Sequence, residues 1–249
     1  VGGEDTVEDQ RPRGIDIHCH IAGTKVNLAR KVQPEDHRHD VHLRTRFTRS
    51  GTGGSVPSTF ATGYRYAALG YTTAMEAAVT PLGARSTLEE LNDTPVLDKG
   101  FFVLMGNNVL LFKLLQEGRL EEFRHVLAWW LSVTRAYAPK LVNPGGDEAW
   151  KGHRNANITE LDARIDPFDL TPRQVIAAFI DAANTLGLPH PVHIHCNNLG
   201  HSGNFETTLE TMRIAEGRRA HITHIQFHSY GSVAGKSRDN PTSRARDIA

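Results

Sequence analysis

The chain has 249 residues, with 28 Lys and Arg balancing 28 Asp and Glu, and 39% of its residues hydrophobic. This is the composition of a folded domain with a filled core, without the basic excess that would point to nucleic acid. No stretch approaches the ~20 apolar residues of a membrane span and no secretory signal opens the chain, so a cytoplasmic protein is expected.

Residues 1–13 are polar and read as a leader. Residues 14–22, GIDIHCHIA, alternate with period two, predicting a strand with Ile15, Ile17 and Cys19 on one face and Asp16, His18 and His20 on the other. A Gly-, Ser-, Thr- and Arg-rich stretch then runs as loop through Pro57. Within it, HRHDVHLRTR (37–46) groups His37, His39 and His42 with Arg44 and Arg46, and is expected to be solvated or to face a partner. Residues 58–70 read as a helix closed by Gly70, and YTTAMEAAV (71–79) as a strand ended by TPLG. Ser86 with Glu89 three residues later predicts a capping box opening the next helix.

GFFVLMG (100–106) reads as a buried strand and residues 107–118 as a helix closed by Gly118. Residues 119–137 form a long amphipathic helix, and a short strand follows around PKLVNPGG (139–146). Residues 169–187 form a helix with Pro172 in its first turn and Gly187 past its end. PVHIHCNNLG (191–200) runs from strand into loop, residues 204–217 read as a helix, and AHITHIQFHSYG (220–231) as another strand.

Strands alternating with helices argue a parallel α/β sheet. A (β/α) TIM-like barrel is favoured over a doubly wound sheet, because the polar chemistry sits at the C-terminal ends of several strands and no Gly-rich phosphate turn follows any of them. About six strands precede Gly231, so the barrel is expected to be incomplete. Residues 14–231 would be the barrel domain and residues 232–249 a polar, disordered tail.

Several of the 14 histidines are grouped at strand-like ends far apart in sequence, as a metal site assembled by folding requires. His18 and His20 would project from one face about 7 Å apart at Cα. His193 and His195 share a face of a second strand, and His224 and His228 lie at and beyond the end of a third. Nitrogen-rich sets favour zinc. Lys140, one of seven lysines, stands at the start of a short apolar strand. Buried with a lowered pKa, such an amine can react with carbon dioxide to give a carbamate able to bridge two cations. Cys19 and Cys196 alternate away from the histidines and read as small buried hydrophobes. Asn197 and Asn198 are candidates for contacting substrate or for fixing the loop after His195.

An HxH on the first strand, a lysine on the fourth and histidines on the fifth and sixth resemble the amidohydrolase superfamily. HIAGTKVN, KLVNPGG, HCNNLG and THIQFHSYG together look like the family of A-type subunits found in formylmethanofuran dehydrogenases and formyltransferase/hydrolase complexes. The resemblance implies two divalent cations, most simply Zn2+, bridged by N6-carboxylysine at Lys140. His18 and His20 would hold the more buried ion, and His195 and His224 the second. His193 and His228 would line the site or face substrate, and either could replace its neighbour.

The activity implied is hydrolysis, or reverse condensation, of an N-formyl amide on a methanofuran-like C1 carrier, together with the other subunits of a complex. The arginines at 44 and 46 could meet an acidic tail of that carrier. The family's catalytic aspartate follows the eighth barrel strand and is expected beyond this chain, since Asp239 and Asp247 come too soon after His228. Its small β-rich domain is also expected to be missing. Two alternatives stay open: another amidohydrolase, such as a cyclic amidase or deaminase, and a non-catalytic scaffold.

Overall fold

The computed structural model describes residues 13–32, 57–146, 158–231 and 242–243. The elements are β1 (Gly14–Cys19), α1 (Thr24–Val32), α2 (Thr59–Ala68), β2 (Tyr71–Val79), α3 (Ala84–Asn92), β3 (Asp98–Leu104), α4 (Val109–Gln116), α5 (Leu120–Thr134), β4 (Ala138–Val142), α6 (Pro172–Thr185), β5 (His193–His195), α7 (Asn204–Ile214) and β6 (His221–Ile222). Beyond β6 comes a 3-10 turn at Ile225–Phe227, and β7 (Tyr230–Gly231) pairs antiparallel with β8 (Thr242–Ser243). The segment holding His37, His39, His42, Arg44 and Arg46 lies outside the described residues, as do Asp239 and Asp247.

β1 to β6 form one parallel sheet in sequence order. Sequential order without reversal is barrel winding, and the sheet curls into a half-barrel with helices outside. The helix-side core joins Phe101, Val103, Leu141 and Ile194 of the strands to Phe123, Leu127, Val175 and Phe179 of the helices. On the inner face a smaller cluster unites Met75, Phe102 and Ala138 with Ile17.

Local chemistry explains the boundaries and the departures from the expected elements. α6 starts at a capping box in which Thr171 Oγ1 accepts from the Gln174 amide at 3.3 Å and Gln174 Oε1 from the Thr171 amide at 2.8 Å. The box expected at Ser86 and Glu89 does not form. There α3 begins earlier, at Ala84, because Thr80 and Pro81 have already turned the chain into a 3-10 turn. Ser86 Oγ instead donates to Gly83 O, and Glu89 pairs with Arg85. α1 occupies the front of the stretch expected to be loop. The strand expected across 220–231 is only two residues long, since His224 adopts left-handed φ 32° and starts the 3-10 turn.

β1 also departs from strict alternation. Asp16 registers with Ala74 and Cys19 with Glu76, so three steps on β1 oppose two on β2, which is a β-bulge. Asp16 Oδ2 therefore accepts from Tyr66 Oη of α2 at 3.0 Å, while Ile17 joins the inner cluster. Asp16 does not share the face of His18, and Ile17 does not share that of Cys19.

Where α2 crosses the loop before β3, a Cβ on Gly63 would lie 2.7 Å from Pro95 Cδ and 2.9 Å from Pro95 N. Ala in a helix interior ordinarily gains about 0.5–1 kcal/mol over Gly. Here Gly63→Ala is expected to reverse that sign and cost about 1–3 kcal/mol through overpacking. Urea denaturation of the two proteins checks it, and a more stable variant would contradict the packing described.

Candidate metal centre

The strand registers carry the chemistry-bearing side chains to one end of the inner face. Lys140 of β4 registers with His193 of β5, which registers in turn with His221 of β6, while Val142 registers with His195. The bulge in β1 turns His18 into the same region, where its ring lies 5.4 Å from His20, 5.1 Å from His193 and 5.0 Å from His224. The His195 ring is 4.7 Å from His224 and 5.2 Å from His228. All four expected ligand histidines are thus gathered, and His193 and His228 stand among them. His195, His224 and His228 each offer one nitrogen within 4.8 Å of the others, as do His190, His193 and His221.

Lys140 is 1% exposed and its Nζ has no hydrogen-bond partner. Burial pulls its pKa down to about 7, opposed in part by the Cys196 thiol. Its charge in turn works against protonation of His18, His193, His195, His221, His224 and His228, which places the amine amid the rings. Burial is the larger cause for each of those rings, and it brings His18, His195 and His228 down to about 3.

The donor set fits cations. Lys140 Nζ, His193 Nδ1, His224 Nδ1 and both nitrogens of His228 are buried without partners, and an unpaired buried polar group costs about 1–3 kcal/mol. Neutral imidazoles with free lone pairs are the form that binds metal. Cys19 and Cys196 are buried in the helix-side core, as their alternation implied.

The surrounding polar groups fix the loops that bear the rings. Glu76 is fully buried, and its Oε2 accepts from the amides of Ile21, Ala22 and Gly23 at 2.7, 2.8 and 2.9 Å while Oε1 meets His20 Nδ1 at 3.1 Å. Burial pushes the Glu76 carboxyl up, but the His20 ring and those amides outweigh it and hold it below its usual range. Asn204, also fully buried, donates to Phe227 O at 2.7 Å and accepts from Tyr230 N at 2.8 Å, clamping the segment around His228. Asn197 Nδ2 ties the loop after β5 to Pro144 O at 3.0 Å, and Asn198 turns that loop at φ 64°. Sequence reasoning missed Glu76 and Asn204. A lone carboxylate in the apolar run YTTAMEAAV was a usable signal for the first, because buried charges are rare unless paired.

The depressed histidines set a pH dependence for the metal-free protein. Between about 6.5 and about 3 the unfolded chain takes up protons at His18, His195 and His228 that the folded chain excludes. The contribution of these three rings to stability is then full above about pH 6.5 and is lost as pH falls through that window. The metal-free chain should unfold at lower urea at about pH 5.5 than at about pH 7.5. An equal or higher midpoint in acid would contradict the burial described.

The profile of the Amidohydrolase family matches residues 12–243. Protein FwdA of Methanocaldococcus jannaschii is 45% identical over 249 residues, covering 96% of this chain and 43% of that protein. The A-type subunit of the formyltransferase/hydrolase complex Fhc from Methylorubrum extorquens is 36% identical over 222 residues, covering 88% of this chain and 39% of that protein. Among solved structures, the Methylorubrum extorquens formyltransferase/hydrolase complex FhcABCD, crystallised with methylofuran, superposes with a TM-score of 0.81 at 35% identity. That match covers 95% of this chain and 42% of the matched one. The chain thus spans less than half the length of the relatives it matches. With the family profile running across the whole parallel sheet and every histidine of the cluster, the chain belongs to the amidohydrolase family.

Proposed function

We propose that the chain carries the metal-binding side of a site that hydrolyses, or in reverse forms, an N-formyl amide on a methanofuran- or methylofuran-like one-carbon carrier. In this reading it works as part of an A-type component, joined by the other subunits of a formyltransferase/hydrolase or dehydrogenase complex. Its likeness to Protein FwdA and to the A-type Fhc protein supports the assignment, as does the methylofuran bound in the matched complex. The observation that carries the chemistry is Lys140, a buried, unpartnered amine amid imidazoles on β1, on β5 and just beyond β6.

His18, His20, His195 and His224 would hold two divalent cations, zinc by the nature of the donors. The pair would supply a nucleophile from water at neutral pH and a Lewis acid for the formyl oxygen. Lys140 would join them as its carbamate: the neutral amine adds to carbon dioxide, a C–N bond forms and one proton leaves, giving an oxygen anion where a bare ammonium would repel cations. Burial keeps His18 and His195 neutral, and Glu76 holds His20. Asn204 and Asn197 keep the β6 and β5 loops, and so His228 and His195, in place. Passing a proton to the departing amine needs an acid–base group, the role that the family resemblance gives to an aspartate.

Metal analysis and intact-mass measurement of the full chain test this, together with an assay for formate release from an N-formyl furfurylamine. Two metals per chain and a mass increment of one carbon dioxide are expected. Lys140→Ala should abolish the increment and weaken metal retention by about 100-fold or more, the upper range seen for lesser, indirect ligand supports. Tight metal retention without Lys140 would overturn the reading. Opening of a cyclic imide without formate release would indicate a different amidohydrolase. Formate release neither by the chain nor by its assembly with partner subunits would leave a metal-stabilised scaffold.

A further inference from the structure

His18 near the end of β1 and His20 just beyond it are each held at Nδ1 by a different buried group. For His20 that group is Glu76, whose two oxygens both receive backbone amides, Oε1 from Ala78 at 3.3 Å and Oε2 from Ile21, Ala22 and Gly23. A carboxylate so surrounded only accepts, so the His20 proton sits on Nδ1 and the lone pair on Nε2. For His18 the group is another imidazole, with His18 Nδ1 2.9 Å from His193 Nε2. Two neutral rings at that distance share one proton, and either could be the donor.

His193 is built to hold its position. It is fully buried, and its ring is stacked between Phe102, at 4.2 Å and 12°, and His221, at 4.6 Å and 5°. We propose that His193 is the positioning residue of His18. Its Nε2 accepts the Nδ1 proton of His18, so His18, like His20, turns an Nε2 lone pair toward a shared cation. This rests on the reading that His18 and His20 hold metal, and it makes His193 a support rather than a ligand. The assignment puts the His193 proton on Nδ1, an atom with no hydrogen-bond partner in this structure, so that nitrogen carries no free lone pair for an ion.

The competing possibility is a separate metal site at His190, His193 and His221. Ring geometry argues against it. Imidazole lone pairs lie in the ring plane, and the His193 and His221 planes are 5° from parallel, so their lone pairs run side by side instead of meeting at one ion.

The test uses the full chain. In the metal-free wild type, 15N NMR of the histidine rings, with His18 assigned through its loss in His18→Gln, should show His18 protonated at Nδ1. Protonation at Nε2 would overturn the proposal whatever the variants do. His193→Phe keeps a flat ring in the stack but removes the acceptor, whereas His193→Gln restores an amide oxygen. By competition with a chelator, zinc affinity should fall about 10–100-fold in His193→Phe, as for other groups that orient metal-bound histidines, and largely recover in His193→Gln. The count of nitrogen donors per zinc by X-ray absorption should stay the same in both. Unchanged affinity in His193→Phe, or a lost nitrogen donor without rescue by Gln, would overturn it. Failure of the wild type to bind zinc would instead end the metal reading, with the His18 tautomer still deciding the hydrogen bond.

Discussion

A nitrogen-rich cluster can be buried only if it is uncharged, and that constraint governs this structure. Lys140 sits amid six imidazoles, and every proton added to one of them is opposed by loss of hydration and by its neighbours. The folded chain keeps the rings neutral and leaves several nitrogens without a protein partner. Such an arrangement is costly as an interior and well suited as a set of ligands.

The sheet makes the arrangement possible. Parallel strands wound in sequence order bring their C-terminal ends together, so side chains as far apart in sequence as His18 and His224 meet on one face. The bulge in β1 turns His18 inward while Asp16 is spent on Tyr66. Glu76 does two structural jobs with one carboxylate, closing the turn after β1 through three amides and fixing His20 through the ring nitrogen. Rigidity of this kind lets binding energy act on a ligand without first ordering the site.

Much of this was legible in the sequence because it is periodic. The strands from YTTAMEAAV to the HIH of β5, and the helices between them, follow from apolar spacing, Gly stops and Pro172. The gathering of His18, His20, His193, His195, His224 and His228 could be read from their place at strand ends, whereas the choice of ligands among them, and the meaning of Lys140, came from the family pattern. The rest depends on contacts that no local pattern encodes. The bulge arises from pairing with β2, so strict alternation wrongly grouped Asp16 with His18. α3 starts at a turn set by Thr80 and Pro81 instead of at Ser86. Asn204 resembles any helix-opening asparagine until the Phe227 carbonyl and Tyr230 amide arrive from another element. Whether His193 serves as ligand or support turns on the orientation of a stacked ring, which spacing cannot convey.

Everything turns on whether cations gather where the amine and the first-strand imidazoles meet. Anomalous diffraction at the zinc absorption edge, from crystals of the full chain grown with zinc and bicarbonate, locates them directly. Two peaks should flank the Lys140 side chain, one against His18 and His20 and the other against His195 and His224. Peaks at His190 and His221 with Lys140 left bare, or none within the half-barrel, would contradict this.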